Sequence, residues 1–199
     1  CEKYDITNYI INDDYTINVE ANVDLSNKNL KEIPLNFYDV QGEFNCEKNQ
    51  LNSLKGGPIV ADYYFANNNN LKSLEYGPKE IMLDFDCSSN DITSFKHGPE
   101  YIGNHFYCGN NDIKTLDYLD KIQVEGDYVF YSTTINVIFA LFESNSYLKN
   151  KENIEYFNEL DIIQENGKVV ILDRLNYFLT DIGKPEVNKD FIKNYKVIE

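Results

Sequence analysis

Tryptophan is absent from the 199 residues, methionine occurs once and histidine twice. Two histidines leave little room for general-base chemistry. No Gly-x-Ser-x-Gly elbow, phosphate-binding loop or Gly-x-Gly-x-x-Gly turn is present, so neither an enzyme activity nor a cofactor is expected. The four cysteines, at positions 1, 46, 87 and 108, contain no Cys-x-x-Cys pair. Zinc-ligand spacing is therefore missing and no metal site is expected. A chain this long and this poor in cysteine is also not a disulfide framework, which predicts a reducing, cytoplasmic setting. Positive charge is scarce: 18 Lys and Arg stand against 33 Asp and Glu, a net charge of −15. Nucleic-acid phosphates and anionic lipids need a basic face, so neither is expected to be bound directly. Long apolar runs are missing as well. The longest, Val137–Phe142, falls far short of the ~20 residues of a membrane helix, and no basic-then-apolar leader is visible. Cys1 is read as following a removed methionine rather than as a lipidated terminus, because no Ser/Gly tether follows it.

What is abundant is aromatic and apolar residues, with 16 Tyr, 12 Phe and a hydrophobic fraction of 42%, enough for a folded core. They recur periodically. Phe44, Cys46, Asn49, Leu51 and Leu54 are matched by Tyr64, Ala66, Asn69, Leu71 and Leu74, then by Phe85, Cys87, Asn90, Ile92 and Phe95, then by Phe106, Cys108, Asn111, Ile113 and Leu116. From Leu51 to Leu71, Ile92 and Ile113 the steps are 20, 21 and 21 residues. A degenerate copy, Val23 to Ile33, precedes them, and Gly-Pro pairs at 57–58, 77–78 and 98–99 punctuate three return legs. Val40, Val60, Ile81 and Ile102 each stand four places before the aromatic that opens the next strand.

A period of 20–21 residues with this pattern fits the leucine-rich-repeat class of solenoid, with one short parallel strand per coil. Residues 44 and 46 and their equivalents point inward and stack on the same positions of neighbouring coils. The asparagine column is structural: its amides satisfy backbone groups that would otherwise be buried unpaired. The cysteine/alanine column is small, buried packing.

The fold class that follows is α+β, mainly β: a leucine-rich-repeat-like solenoid of about five coils over residues 23–132, between an N-terminal β-hairpin cap at 1–22 and a C-terminal α+β cap or appendage at 133–199. The hairpin is expected around Asn12–Asp14, and a last strand around Tyr128 and Phe130. After Thr134 the period turns helical, with Ile135, Ile138, Phe139 and Phe142 on one face. A second helix is expected over Glu152–Leu160, a hairpin with an Asn166-Gly167 turn after it, then a helix capped by Asp173 and stopped by Gly183 and Pro185.

The repeat Phe-x-Cys-x-x-Asn-x-Leu, the opening coil Asn22–Lys28 and the tail Ile171–Lys184 together resemble a family of bacteriophage-encoded leucine-rich-repeat-like proteins. The likeness covers roughly residues 15–185. It implies a viral, repeat-scaffold origin, and with it the host-cell cytoplasm or the virion as the setting. The family carries no established activity and no catalytic residues to transfer.

Outward strand positions flank the buried pair in each coil, and parallel stacking gathers them into one patch rich in acids and aromatics. Tyr63, Phe65, Asp84, Asp86, His105 and Tyr107 form its centre and are the candidate partner-binding residues. Aromatics clustered on a surface serve as interface anchors, although cross-strand aromatic pairs also stabilise sheets. Asp84 and Asp86 lie two apart on one face, but no third ligand is spaced near them, which favours a solvated acidic strand over a cation site. His105 beside these acids introduces a titratable group.

The expected function is a non-enzymatic scaffold offering this face to a protein partner, host proteins included. Two alternatives remain open at this point: an acidic DNA mimic that occupies a nucleic-acid-binding host protein, and a structural component of the virus particle. The oligomeric state is not legible.

Overall fold

The computed structural model describes residues 1–142 and 151–199. Strands β1 (Tyr9–Ile11) and β2 (Ile17–Val19) make the expected antiparallel hairpin. Asp14 shapes its turn: Oδ1 accepts the Thr16 N–H at 3.0 Å and the Thr16 hydroxyl at 2.6 Å, a side chain standing in for a backbone turn bond. The chain then winds through β3 (Val23–Asp24), β4 (Phe37–Asn45), β5 (Val60–Phe65), β6 (Glu80–Ile81), β7 (Phe85–Asp86), β8 (Tyr101–Ile102), β9 (Phe106–Tyr107), β10 (Gln123–Val124) and β11 (Tyr128–Val129). Every pairing from β2 to β11 is parallel. The protein is a mainly β solenoid of about five turns.

Each coil contributes to two ladders, not to the single one expected. The aromatic ladder joins β3, the end of β4, the end of β5, β7, β9 and β11. The return ladder joins β2, the start of β4, the start of β5, β6, β8 and β10. Alternation along each strand sends one set of side chains inward. Phe44, Tyr64, Phe85 and Phe106 are fully buried and stack in the anticipated column, with ring centroids 5.0, 5.6 and 5.5 Å apart. Cys46, Ala66, Cys87 and Cys108 form a second column, closed by larger residues at its ends, Leu25 and Phe130. Tyr64 carries a hydroxyl into this interior. It has no hydrogen-bond partner, and it fits because Gly57 lacks a side chain: a Cβ there would stand 2.1 Å from the oxygen.

In the return ladder the buried column runs Val19, Val40, Ala61, Ile81, Ile102 and Val124. Ala61, and not Val60, fills the place in the second coil. The corner from Ala61 to Tyr64 is one residue shorter than the one from Val40 to Phe44, so counting back four places from the aromatic lands on the wrong side of the strand.

The asparagine column performs the backbone task expected of it. Asn69 Nδ2 donates to Cys46 O at 3.0 Å and Ala66 O at 3.1 Å, while its Oδ1 accepts Leu51 N–H at 3.0 Å. Asn49, Asn90 and Asn111 repeat the arrangement between their own coils. Each amide thus bonds to two successive coils and pairs backbone groups that would otherwise be buried without partners. At the last rung buried Thr133 takes the place of asparagine, its hydroxyl donating to Phe130 O at 2.7 Å. The residue before each of these positions holds a left-handed turn, with φ from 50° to 57° at Lys48, Asn68, Ser89, Asn110 and Ser132.

Beyond the last rung come α1 (Asn136–Phe139), α2 (Lys151–Glu159), β12 (Ile163–Gln164), β13 (Val169–Ile171), α3 (Leu172–Asp181) and β14 (Lys196–Ile198). Ile135, Ile138, Ile154, Phe157 and Leu175 are buried in the same core as the coils. The side chains of Phe139 and Phe142, expected on that face, lie outside the described residues. Polar bonds tie the segment to the fifth coil: Asn158 Nδ2 donates to Leu116 O at 3.2 Å, and the Tyr195 hydroxyl to Lys114 O at 2.9 Å. β12 and β13 form the expected hairpin around Asn166 and Gly167, and β14 adds a parallel third strand that the sequence pattern does not announce. Asp173 is not the cap of α3. β13 runs straight into the helix, Ile171 occupies the cap position, and Asp173 stands in the first turn, where its charge still favours the helix N-terminus. Gly183, at φ 75°, ends α3 as expected.

Candidate functional site

The outward positions of the aromatic ladder form six rungs of three residues, at 22, 24 and 26; 43, 45 and 47; 63, 65 and 67; 84, 86 and 88; 105, 107 and 109; and 127, 129 and 131. Of these 6 × 3 = 18 positions six are carboxylates (Asp24, Glu43, Glu47, Asp84, Asp86 and Asp127) and none is Lys or Arg. The solenoid's nine lysines all stand elsewhere on the coils. Tyr63, Phe65, Asp84, Asp86, His105 and Tyr107 occupy three successive rungs at the centre and are all half-buried. The structure brings all six together on one face.

Within that face the residues differ in what holds them. The Tyr63 and Phe65 rings stack at 6.0 Å, and His105 meets Tyr107 edge-on at 5.8 Å. Between these pairs lie the two aspartates. Asp84 Oδ1 accepts the His105 N–H at 3.0 Å and Asn104 Nδ2 at 2.8 Å, and His105 Nδ1 in turn accepts the Asp127 N–H at 3.0 Å. Asn22 does the same for Glu43 N–H at 3.0 Å. These side chains cap backbone donors at corners where the ladder is interrupted, a structural duty that accounts for an acceptor just before the buried aromatic.

Asp86 is placed differently. Its cross-strand neighbours are Phe65 on one side and Tyr107 on the other, so the carboxylate stands between two rings at a strand spacing of about 4.8 Å. Oδ1 accepts the Ser88 N–H at 2.9 Å. Burial holds the carboxyl above the ordinary aspartate range, and the charges of Glu47 and Asp84 push the same way. Burial also raises the Tyr107 phenol, joined by the charges of Asp84, Asp86 and Asp127. Glu47, by contrast, is held below the usual carboxylate range by its bond to Lys48 Nζ at 2.8 Å. Asn67 donates to Glu47 Oε2 at 3.1 Å, while its own Oδ1 is shut from solvent with no partner.

Tyr131 was not anticipated in this surface. Its rung follows a 22-residue step, which blurs the repeat. Gly109 makes room for its ring: a Cβ there would lie 2.7 Å from it. The ring remains 47% exposed and widens the aromatic area beside Tyr107. The signal available in the sequence was the glycine, the smallest residue at an outward position that the preceding rungs fill with Ser, Glu and Asn.

Elsewhere the chemistry is sparse. Among the described residues no three His, Cys, Asp or Glu side chains converge to hold a metal ion. Cys87 and Cys108 approach to 3.4 Å between sulfurs, but both are fully buried, and burial raises the Cys87 thiol well above its ordinary range. Such thiols act as packing groups. A groove of 380 Å³ on the return side is lined by Glu100, Lys121, Gln123 and Glu125, of mixed sign. Among the described residues no helix is long and apolar enough to cross a membrane. No protein-family model, no curated protein and no solved structure matches the chain.

Proposed function

We propose that the protein is a non-enzymatic binding scaffold whose middle coils present the aromatic-ladder face to a protein partner. One observation carries this reading. The face combines six carboxylates and no Lys or Arg with half-exposed Tyr and Phe side chains on the rungs either side of Asp84 and Asp86. Aromatics of this kind anchor interfaces through apolar contact, and acids of one sign steer a basic partner and exclude acidic ones. The likeness to phage-encoded repeat proteins makes a bacterial host protein the leading candidate.

The test is affinity capture from bacterial lysate at low and at high salt, with the full chain and with a Phe65→Ala/Tyr107→Ala variant. An aromatic-anchored partner survives high salt and is lost with the variant. A partner that is shed steeply with salt and is indifferent to the variant would instead mark a diffuse acidic surface, as a DNA mimic would have.

A further inference from the structure

We propose that Asp86, between Phe65 and Tyr107, is a receptor for an arginine guanidinium presented by the partner; this rests on the reading of the aromatic-ladder face as the binding surface. Asp86 Oδ1 is occupied by the Ser88 N–H. Its other oxygen meets no donor among the described residues, and Asp86 takes part in no ion pair among them. Lys48, beside the outward Glu47, is engaged with that carboxylate. Asp84, two residues earlier on the same face, likewise uses one oxygen, for His105 and Asn104. The rung therefore presents two carboxylate oxygens that lack a donor, framed by rings on the rungs before and after.

A half-buried carboxylate without a counter-ion is costly, and the upward push that burial exerts on its proton affinity expresses that cost. The need is thus for a cation that is rich in donors and apolar on its faces.

Guanidinium meets each requirement. It is planar, it bonds a carboxylate edge-on, and it stacks on aromatic rings while doing so. It is also more weakly hydrated than an ammonium, so it enters a site walled by Phe and Tyr at less cost. A lysine ammonium offers charge without stacking. A metal ion finds no third ligand here.

The experiment is an NMR titration of the full chain with N-acetyl-arginine-N-methylamide, compared with the lysine and citrulline analogues. The expected result is saturable shifts centred on the Phe65 and Tyr107 rings and the Ser88 amide, with Kd on the order of 1 to 10 mM, the range of a single side-chain contact. The lysine probe should bind at least about fivefold more weakly, since it lacks the stacking, and citrulline should produce no saturable shift. Asp86→Asn should weaken the arginine probe about tenfold or more. Glu80→Gln, which removes the same charge from the return ladder, should leave it unchanged.

Shifts spread evenly over the acidic surface, equal binding of arginine and citrulline, or an Asp86→Asn protein that binds as well as the parent would each overturn the proposal. The two readings separate cleanly. A captured partner lost with Phe65→Ala/Tyr107→Ala but kept with Asp86→Asn would sustain the face and refute the arginine receptor. A partner indifferent to both variants would refute the face itself.

Discussion

The two ladders of each coil share an inward logic and differ outward. Both bury a continuous column, aromatic in one and aliphatic in the other, and both pair in parallel through short strands. On the outer side of the return ladder stand Asp39, Val60, Glu80, Tyr101 and Gln123. One ion pair lies beside that ladder, Lys79 with Glu100 at 3.4 Å, and Gln41 donates to Asp39 at 3.3 Å. On the aromatic ladder Tyr63, Phe65, Tyr107 and Tyr131 crowd around carboxylates of which only some find partners. The same backbone is thus held together behind an ordinary surface on one side, so the fold itself does not demand the unusual surface on the other.

This contrast can be broken or sharpened by experiment. The largest effect is expected inside. Phe85→Ala, in the middle of the aromatic column, should cost about 3–5 kcal/mol in a urea unfolding titration, since Phe85 is fully buried between Tyr64 and Phe106. Ile81→Val, its counterpart in the return column, should cost about 0.5–1.5 kcal/mol. A cost for either substitution near zero would mean that its side chain is not packed in the column described.

Next comes the column that joins the coils. Asn90→Ala strips the partner from Leu71 N–H and from the Ala66 and Cys87 carbonyls and should cost about 1–3 kcal/mol by the same titration. Thr133→Val, with one such bond at stake, should cost about 1 kcal/mol. Tyr64→Phe should go the other way and stabilise or be neutral, because it removes a buried hydroxyl that has no partner.

Outside, the expected effects fall on binding. Phe65→Ala/Tyr107→Ala should lower affinity for a captured partner by tenfold or more, about 1.4 kcal/mol, while Tyr101→Ala on the return ladder should change it little. Equal losses from both would erase the distinction between the faces.

The smallest effect is a pH dependence. Asp86 has its carboxyl raised in the folded protein by burial first and by Glu47 and Asp84 next. Below the ordinary aspartate value of about 3.9 it is neutral both folded and unfolded, and it carries no penalty. As pH rises through the folded value the penalty sets in, so stability is lost on the alkaline side. Asp86→Asn keeps an acceptor for Ser88 but not the charge, and its stability advantage over the parent should grow from pH 4 towards neutrality. A constant or shrinking difference would show that the carboxylate is already compensated.

Much of this was legible in the amino-acid order. The aromatic ladder is marked by large side chains at fixed intervals, and the asparagine column by an amide that no other residue type replaces in the middle coils. The return ladder was not, because two-residue strands carry too little alternation to read and because Val60 keeps the four-residue interval while Ala61 fills the buried place. At the site, all six anticipated residues share the face, but Asp84 and His105 bond backbone donors of the next rung, information that lies in three dimensions at a separation of about one coil. Thr133 and Tyr131 escaped notice together, since both follow the longest step in the repeat.

That step has a consequence of its own. Along the aromatic ladder the rungs from Phe44 are 20, 21, 21 and 22 residues apart, yet no rung is out of phase. The missing residue falls at the corner between Ala61 and Tyr64, and the added one at the turn of Leu119–Lys121. Each coil is therefore a belt of adjustable girth running on two rails of constant gauge. Lengthening a belt within a rail would turn every following side chain of that strand inside out, whereas lengthening it at the buckle leaves both rails aligned. Gains and losses of residues between relatives of this protein should accordingly collect at the corners and turns between the two rails.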